Sequence, residues 1–171
     1  MTGKLERKFL AHYLDLSFTI GGGDGSETDK TNYVRLGQDL ESYAEELNPQ
    51  VDVRRNILGE QNVYHSGYQV QSSAEPFYAY EGEPLFEQLS LIANGRKTGD
   101  DCQTTRVEVL VDTKGEVLWA YRENCWVVPS SVGGDTSGVQ IPFTVFNSGS
   151  RTKGTWDATT KKFTPETAST T

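Results

Sequence analysis

A chain of 171 residues, 35% of them hydrophobic, is long enough to close one core and too short for two generous ones. The formal charge of -8, from 24 acidic against 16 basic residues, argues against a surface that grips nucleic-acid phosphates, and no apolar run approaches the ~20 residues a membrane-crossing helix needs. Seventeen glycines and a mean hydropathy of -0.56 fit a strand-and-turn protein better than a helical bundle.

Lys4, Arg7 and Lys8 open the chain as a basic cluster. The stretch from Met1 to Lys8 lacks the apolar core of a signal peptide, so the chain is expected to be made and kept soluble in the cytoplasm. Phe9, Tyr13 and Leu16 then keep helical spacing while Leu14, Leu16 and Phe18 keep strand spacing, which leaves the type open. Gly21 to Lys30 reads as a flexible loop, dividing an N-terminal arm and loop (residues 1–32) from a body over residues 33–165. Tyr33 to Gly37 reads as a short strand. Leu40 to Leu47 has helix-forming composition, yet it alternates equally well as a strand. The turn dipeptide Asn48-Pro49 follows, and then Val51, Val53 and Arg55 alternate with Asp52, Arg54 and Asn56. The favoured reading is a polar hairpin from Glu41 to Leu58 with both faces wet. Such a ribbon has no core of its own, so it either stays mobile or docks on another subunit. Glu41, Tyr43, Glu45, Asn48, Pro49, Val51, Val53, Arg54 and Arg55 are its candidate contact residues.

Ser66 to Gln71 is a further strand candidate, and Phe77, Tyr78 and Tyr80 lead aromatic residues toward a helix. Glu83 precedes Pro84, a good first helical residue because its missing N–H would have no partner there. Leu85, Phe86, Leu89 and Ile92 form one apolar stripe at the helical period, and Asn94-Gly95 is expected to end the helix through a left-handed glycine. After Gly99-Asp100-Asp101 the period becomes two: Thr105, Val107, Val109 and Val111 share one face, with Thr104, Arg106, Glu108 and Leu110 on the other. Asp112 to Gly115 turns the chain into a return strand with Val117, Trp119 and Tyr121 on one side, an aromatic side that needs a helix or second sheet above it. Cys102 and Cys125 sit near the open end of this hairpin and read as two partly buried free thiols, although they could face each other across it. Pro129 to Gly138 is a polar loop, and Val139 to Phe146 alternates as an edge or bulged strand because of Pro142. Thr155-Trp156 and Lys162-Phe163 frame a last small hairpin, and residues 166–171 form a polar tail expected to be disordered.

The chemistry is sparse. The glycine run matches neither a dinucleotide fingerprint nor a phosphate loop, and Gly134 to Gly138 would place Thr136 where a hydrolase nucleophile stands. His12 and His65 lack a recognisable motif, Asp100-Asp101 is a weak cation signal, and two cysteines with two histidines match no zinc spacing. No enzyme and no cofactor is expected.

The order Tyr33-Val34-Arg35-Leu36-Gly37, Leu47-Asn48-Pro49, Asn56-Ile57-Leu58-Gly59-Glu60, Tyr78-Ala79-Tyr80-Glu81-Gly82-Glu83-Pro84-Leu85, Lys97-Thr98-Gly99-Asp100-Asp101 and Thr104 to Val109 resembles the major tail tube proteins of tailed bacteriophages, most closely those of long-tailed phages of Gram-positive hosts. The resemblance spans roughly Tyr33 to Trp156. It implies a mainly β (α+β) fold, a β-sandwich or barrel with one flanking helix and an extended assembly hairpin. It also implies a structural virion protein of the tail, assembled in the host cytoplasm, whose subunits close into hexameric rings stacked as a tube for DNA. The partners it implies are copies of the chain itself, a tape measure protein, a tail terminator and distal tail or baseplate proteins. DNA would pass without specific binding, so lumen positions are expected to be acidic, with Glu108 a candidate. The alternative is a β-sandwich binding module recognising carbohydrate or a host surface through Trp119, Trp126 and Trp156.

Overall fold

Period-two valines build the centre of the molecule. In the computed structural model, which describes residues 3–18 and 32–167, β6 (Gln103–Val111) and β7 (Val117–Pro129) pair antiparallel with Val107 opposite Arg122 and Val109 opposite Ala120. The Gly21 to Lys30 loop lies outside the described residues, as do positions 168–171 of the tail. β1 (Leu10–Asp15) and β2 (Tyr33–Leu36) extend the sheet on the β6 side, while β10 (Phe143–Asp157) and β11 (Lys162–Pro165) extend it on the β7 side. β10 is long enough to serve two neighbours. Its first half pairs with β5 (Gln71–Ala74) and its second half with β11, and its register against β7 shifts between Asn147 and Arg151. The seven strands run β11-β10-β7-β6-β1-β2 with β5 beside β10. β3 (Pro49–Arg55) with β4 (Gln61–Tyr68), and β8 (Gly133–Asp135) with β9 (Gly138–Gln140), are separate two-stranded ribbons.

The fold is mainly β, with one α-helix among the described residues, α1 (Pro84–Asn94). Leu85, Leu89 and Ile92 of its stripe are buried and Phe86 is half-buried. Leu85 and Leu89 share a core with Cys125, Val127, Phe143, Val145 and Phe77. A second core forms on the opposite face of β6 and β7, where Val107, Val109 and Ala120 meet Tyr33, Trp156 and Phe163. Cys125 and Ala120 are five residues apart on β7, an odd separation that places them on opposite faces.

Several expectations are corrected. Leu10–Asp15 is no detached arm: it pairs with both β2 and β6, because Leu14 and Tyr13 supply one residue to each core. The helix covers the Cys125–Val127 end of the β7 face and leaves Trp119 and Tyr121 half-buried, 5.6 Å apart between ring centroids. Arg96 is the left-handed residue after the helix (φ 48), and Gly95 is right-handed (φ -76); a Cβ there would stand 2.9 Å from the Leu91 carbonyl oxygen, which explains a glycine without a positive φ. The strand expected over Ser66 to Gln71 breaks at residues 69–70 between β4 and β5, and the one expected over Val139 to Phe146 breaks at Ile141-Pro142 between β9 and β10. The polar loop after Pro129 contains β8 and the start of β9.

Candidate assembly surface and the charged core beneath it

Among the described residues, β3 and β4 pair with each other and with no other strand, so the hairpin leaves the body as an arm. At about 3.3 Å per residue, the seven residues of β3 give it a reach of roughly 23 Å. Every residue of β3 is exposed, and so is every residue of β4 except Gly67. Cross-strand pairing puts Val53 beside Val63 and Val51 beside His65 on one face, with Asp52 beside Tyr64 on the other. The tip is built by one side chain. Asn56 Oδ1 accepts from the Leu58 and Glu60 amides at 3.0 Å each, Asn56 Nδ2 donates to Glu60 Oε2 at 2.8 Å, and Gly59 takes a φ of 83. Ile57 and Leu58 are thereby held out of the turn, 103% and 77% exposed.

This hairpin is shifted from the expected one. The turn lies at Asn56–Glu60 and not at Asn48-Pro49. Asn48 has a φ of 42 and kinks the entry, while Pro49 is a strand's first residue, where its absent N–H costs no ladder bond. Asn48, Pro49, Val51, Val53, Arg54 and Arg55 thus stand at the base and along the arm, all exposed, with the Arg54 Nε 2.7 Å from Asp52 Oδ2. Tyr43 and Glu45 do not. The stretch from Leu40 to Leu47 is neither helix nor a named strand; it lies against the body, with Tyr43 buried, its carbonyl accepting from Arg7 Nη2 at 2.8 Å, and Glu46 bridged to Gln71. Glu41 is exposed on the same stretch.

Beneath that stretch lies a charged core that sequence reasoning missed. Arg106 Nη2 is 2.8 Å from Glu108 Oε2 and 3.6 Å from Glu45 Oε2, and Arg106 Nη1 donates to Ser72 Oγ at 3.2 Å and Asn147 Oδ1 at 3.3 Å. Asn147 Nδ2 donates to Glu45 Oε1 at 2.7 Å and Glu123 Oε2 at 3.2 Å, and the Gly149 amide donates to Glu123 Oε1 at 2.8 Å. Two carboxyls, Glu108 and Glu45, therefore flank one buried guanidinium, and Asn147 links Glu123 to them, with Arg151 Nε 3.8 Å from Glu123 Oε2. Burial, then the hydrogen bond and the charge of Glu45, push Glu108 up to about 8. Glu45 is also penalised by burial, but the hydrogen bond with Glu108 and the charge of Arg106 outweigh that and hold it low. Of the two, Glu108 is the one whose protonated form the site favours. Burial also raises Glu123.

His12 completes the cluster. An arginine can only donate, so Arg7 Nη2 at 3.0 Å from His12 Nε2 requires that nitrogen to accept and puts the neutral ring's proton on Nδ1. Burial, with Arg106 and Arg7 close by, lowers His12 to about 3. The 3.6 Å approach of Nδ1 to Glu108 Oε2 is then a contact of neutral groups and no ion pair. The candidate lumen residue Glu108 is 7% exposed and faces Arg106, so it lines no surface of the subunit.

Other candidates are placed as follows. Trp156 is buried between Tyr13 and Tyr33, ring centroids at 4.5 and 5.4 Å, which removes it from any sugar platform with Trp119 and Trp126. Cys102 and Cys125 are buried free thiols; Cys125 stands opposite Thr104 and not Cys102, and burial pushes its thiol up to about 12. No group of three or more His, Cys, Asp and Glu is arranged to hold a metal ion among the described residues.

No protein-family model matches the chain, and no curated protein matches it by sequence. Among solved structures it is similar to the tube-terminating cap of the anti-feeding prophage, at 12% identity over 91% of this chain and 93% of that one, with a TM-score of 0.51. It is equally similar to the sheath/tube terminator of an extracellular contractile injection system, PVC, in its extended state, at 10% identity over 90% and 99% of the two chains and a TM-score of 0.51. The chain has the fold of tail-tube-like proteins. Both matches run nearly end to end, so the fold is shared as a whole and not through one motif.

Proposed function

We propose that the chain is a structural, non-catalytic subunit of a phage tail or tail-like tube, closing into rings through contacts made by the β3–β4 arm. The observation that carries this reading is the arm itself: a ribbon of seven and eight residues with no strand partner in the body among the described residues and an exposed Ile57-Leu58 tip. A monomer gains nothing from such a feature, whereas an assembling subunit gains contact area. The end-to-end likeness to two tube-terminating proteins supports the same role. In this reading the rings are hexameric, DNA passes through them, and the tail belongs to a long-tailed phage of a Gram-positive host, as the sequence motifs imply. A tape measure protein, a terminator and distal tail proteins join it there.

A second reading, favoured by what those two proteins are, makes the chain the terminator that ends a tube in place of the subunit that propagates one. Electron microscopy of the purified protein separates them: stacked tubes fit the tube subunit, discrete rings fit the terminator, and a uniform monomer at high concentration contradicts both.

A further inference from the structure

We infer that the Ile57-Leu58 tip of one subunit seats in a groove on a second copy of the same chain, between the start of β1 and the turn that joins β10 to β11. This rests on the assembly role proposed above and names its receiving surface. The groove, about 460 Å³, is floored by Tyr13, Val109, Val111 and Trp156, with Val117 at its edge. Its floor reaches the second core: Val109 and Trp156 are buried members of that core, while Val117 is 37% exposed. The apolar part of this mixed recess gains free energy from an apolar plug that displaces its water, at roughly 25 cal/mol for each Å² of apolar surface covered.

Three properties of the tip fit it. Ile57 and Leu58 are adjacent, aliphatic and exposed, so the plug is already outside the turn. The five hydrogen bonds that Asn56 makes within residues 56–60, two accepted by its side-chain oxygen, one donated by its side-chain nitrogen, one donated by its amide to the Glu60 carbonyl and one accepted by its own carbonyl from the Gly59 amide, fix the tip before contact. Binding then orders little further chain. The charges also correspond. Lys8 and Arg35 line one part of the groove and Asp157 another, two cations and one anion, and the tip is flanked by Glu60 and Arg55, one charge of each sign. Seating Glu60 toward Lys8 and Arg35 brings Arg55 toward Asp157, and the reverse seating opposes like charges, so the pairing sets one orientation.

The test is a cysteine pair between copies. Ile57→Cys and Val117→Cys are made in separate preparations of the full chain, mixed, allowed to assemble and oxidised mildly; both positions are exposed, and the native thiols are buried. A disulfide needs Cα atoms within about 7 Å, so a covalent dimer that forms only on mixing, and far more than with Ile57→Cys paired to Val132→Cys, supports the seating. Ala158→Trp, an exposed groove position, is expected to reduce ring formation at least tenfold in protein concentration while leaving the melting temperature unchanged. Rings that form without the 57–117 cross-link, or that tolerate Ala158→Trp, overturn the groove and leave the ring reading standing. Absence of both rings and cross-link overturns the two together.

Discussion

Arg106 and Glu108 are two residues apart on β6 and therefore on one face, where their side chains meet at 2.8 Å with almost no solvent. A period-two strand would normally turn such a face to water. Here the other elements bring matching polar groups to it: Glu45 from the stretch before β3, Glu123 from β7, Asn147 from β10, Ser72 from β5 and His12 from β1. The charged core thus ties the base of the β3–β4 arm to the sheet.

Arg106→Met keeps most of the volume and removes the cation. Glu45 then remains buried without its cation, while Glu123 keeps Arg151 at 3.8 Å, and at pH 7 the loss expected is about 3–5 kcal/mol, the usual cost of breaking one side of a buried pair. Denaturant titration measures it. A change under about 1 kcal/mol would mean that water reaches the carboxyls.

Glu108 gives a pH signature. It keeps its proton in the fold up to about pH 8, whereas the unfolded chain releases it near 4.5, so its stabilisation is full below 4.5 and lost as pH rises to 8. His12 acts oppositely and elsewhere. Its folded value of about 3 lies below the unfolded 6.5, so it makes stability rise with pH between those limits and has no effect above them. From pH 6.5 to 8, therefore, the melting temperature is expected to fall. The limiting slope for one proton is about 1.4 kcal/mol per pH unit. Glu108→Gln should flatten the decline; an identical decline in the variant would remove Glu108 as its source.

Leu89 is completely buried at the centre of the helix stripe, among the side chains of the first core. Leu89→Ala is expected to cost about 2–5 kcal/mol, from lost transfer energy plus the cavity left behind. An unchanged melting temperature would contradict the packing of α1 on the sheet.

Local patterns carried the elements whose partners are near in sequence. The valines of β6 and the stripe of α1 were legible because each repeats at the period of its own element, and the β6–β7 turn because Asp112 to Gly115 closes it. What failed was non-local. Leu10–Asp15 was ambiguous by periodicity because one of its strand partners, β6, is nearly a hundred residues away and both its faces are buried. Arg106 and Glu108 read as a wet face because nothing nearby announces Glu45, Glu123 and Asn147. The hairpin was placed too early because Asn48-Pro49 is the louder turn signal, although Asn56 and Gly59 were the pair that mattered. Its apolar tip, Ile57-Leu58, falls at the very end of the hairpin expected over Glu41 to Leu58.

The central claim is that the β3–β4 arm assembles the protein and contributes little to its folding. The measurement that tests it most directly replaces residues 50–67 with a short glycine linker, leaving Tyr43 and Glu45 in place, and compares the variant with the intact chain by melting temperature and electron microscopy. The expected result is a variant that melts within a few degrees of the intact chain and stays monomeric at concentrations where the intact chain forms rings or tubes. A variant that assembles like the intact chain, or one that no longer folds, would contradict the account.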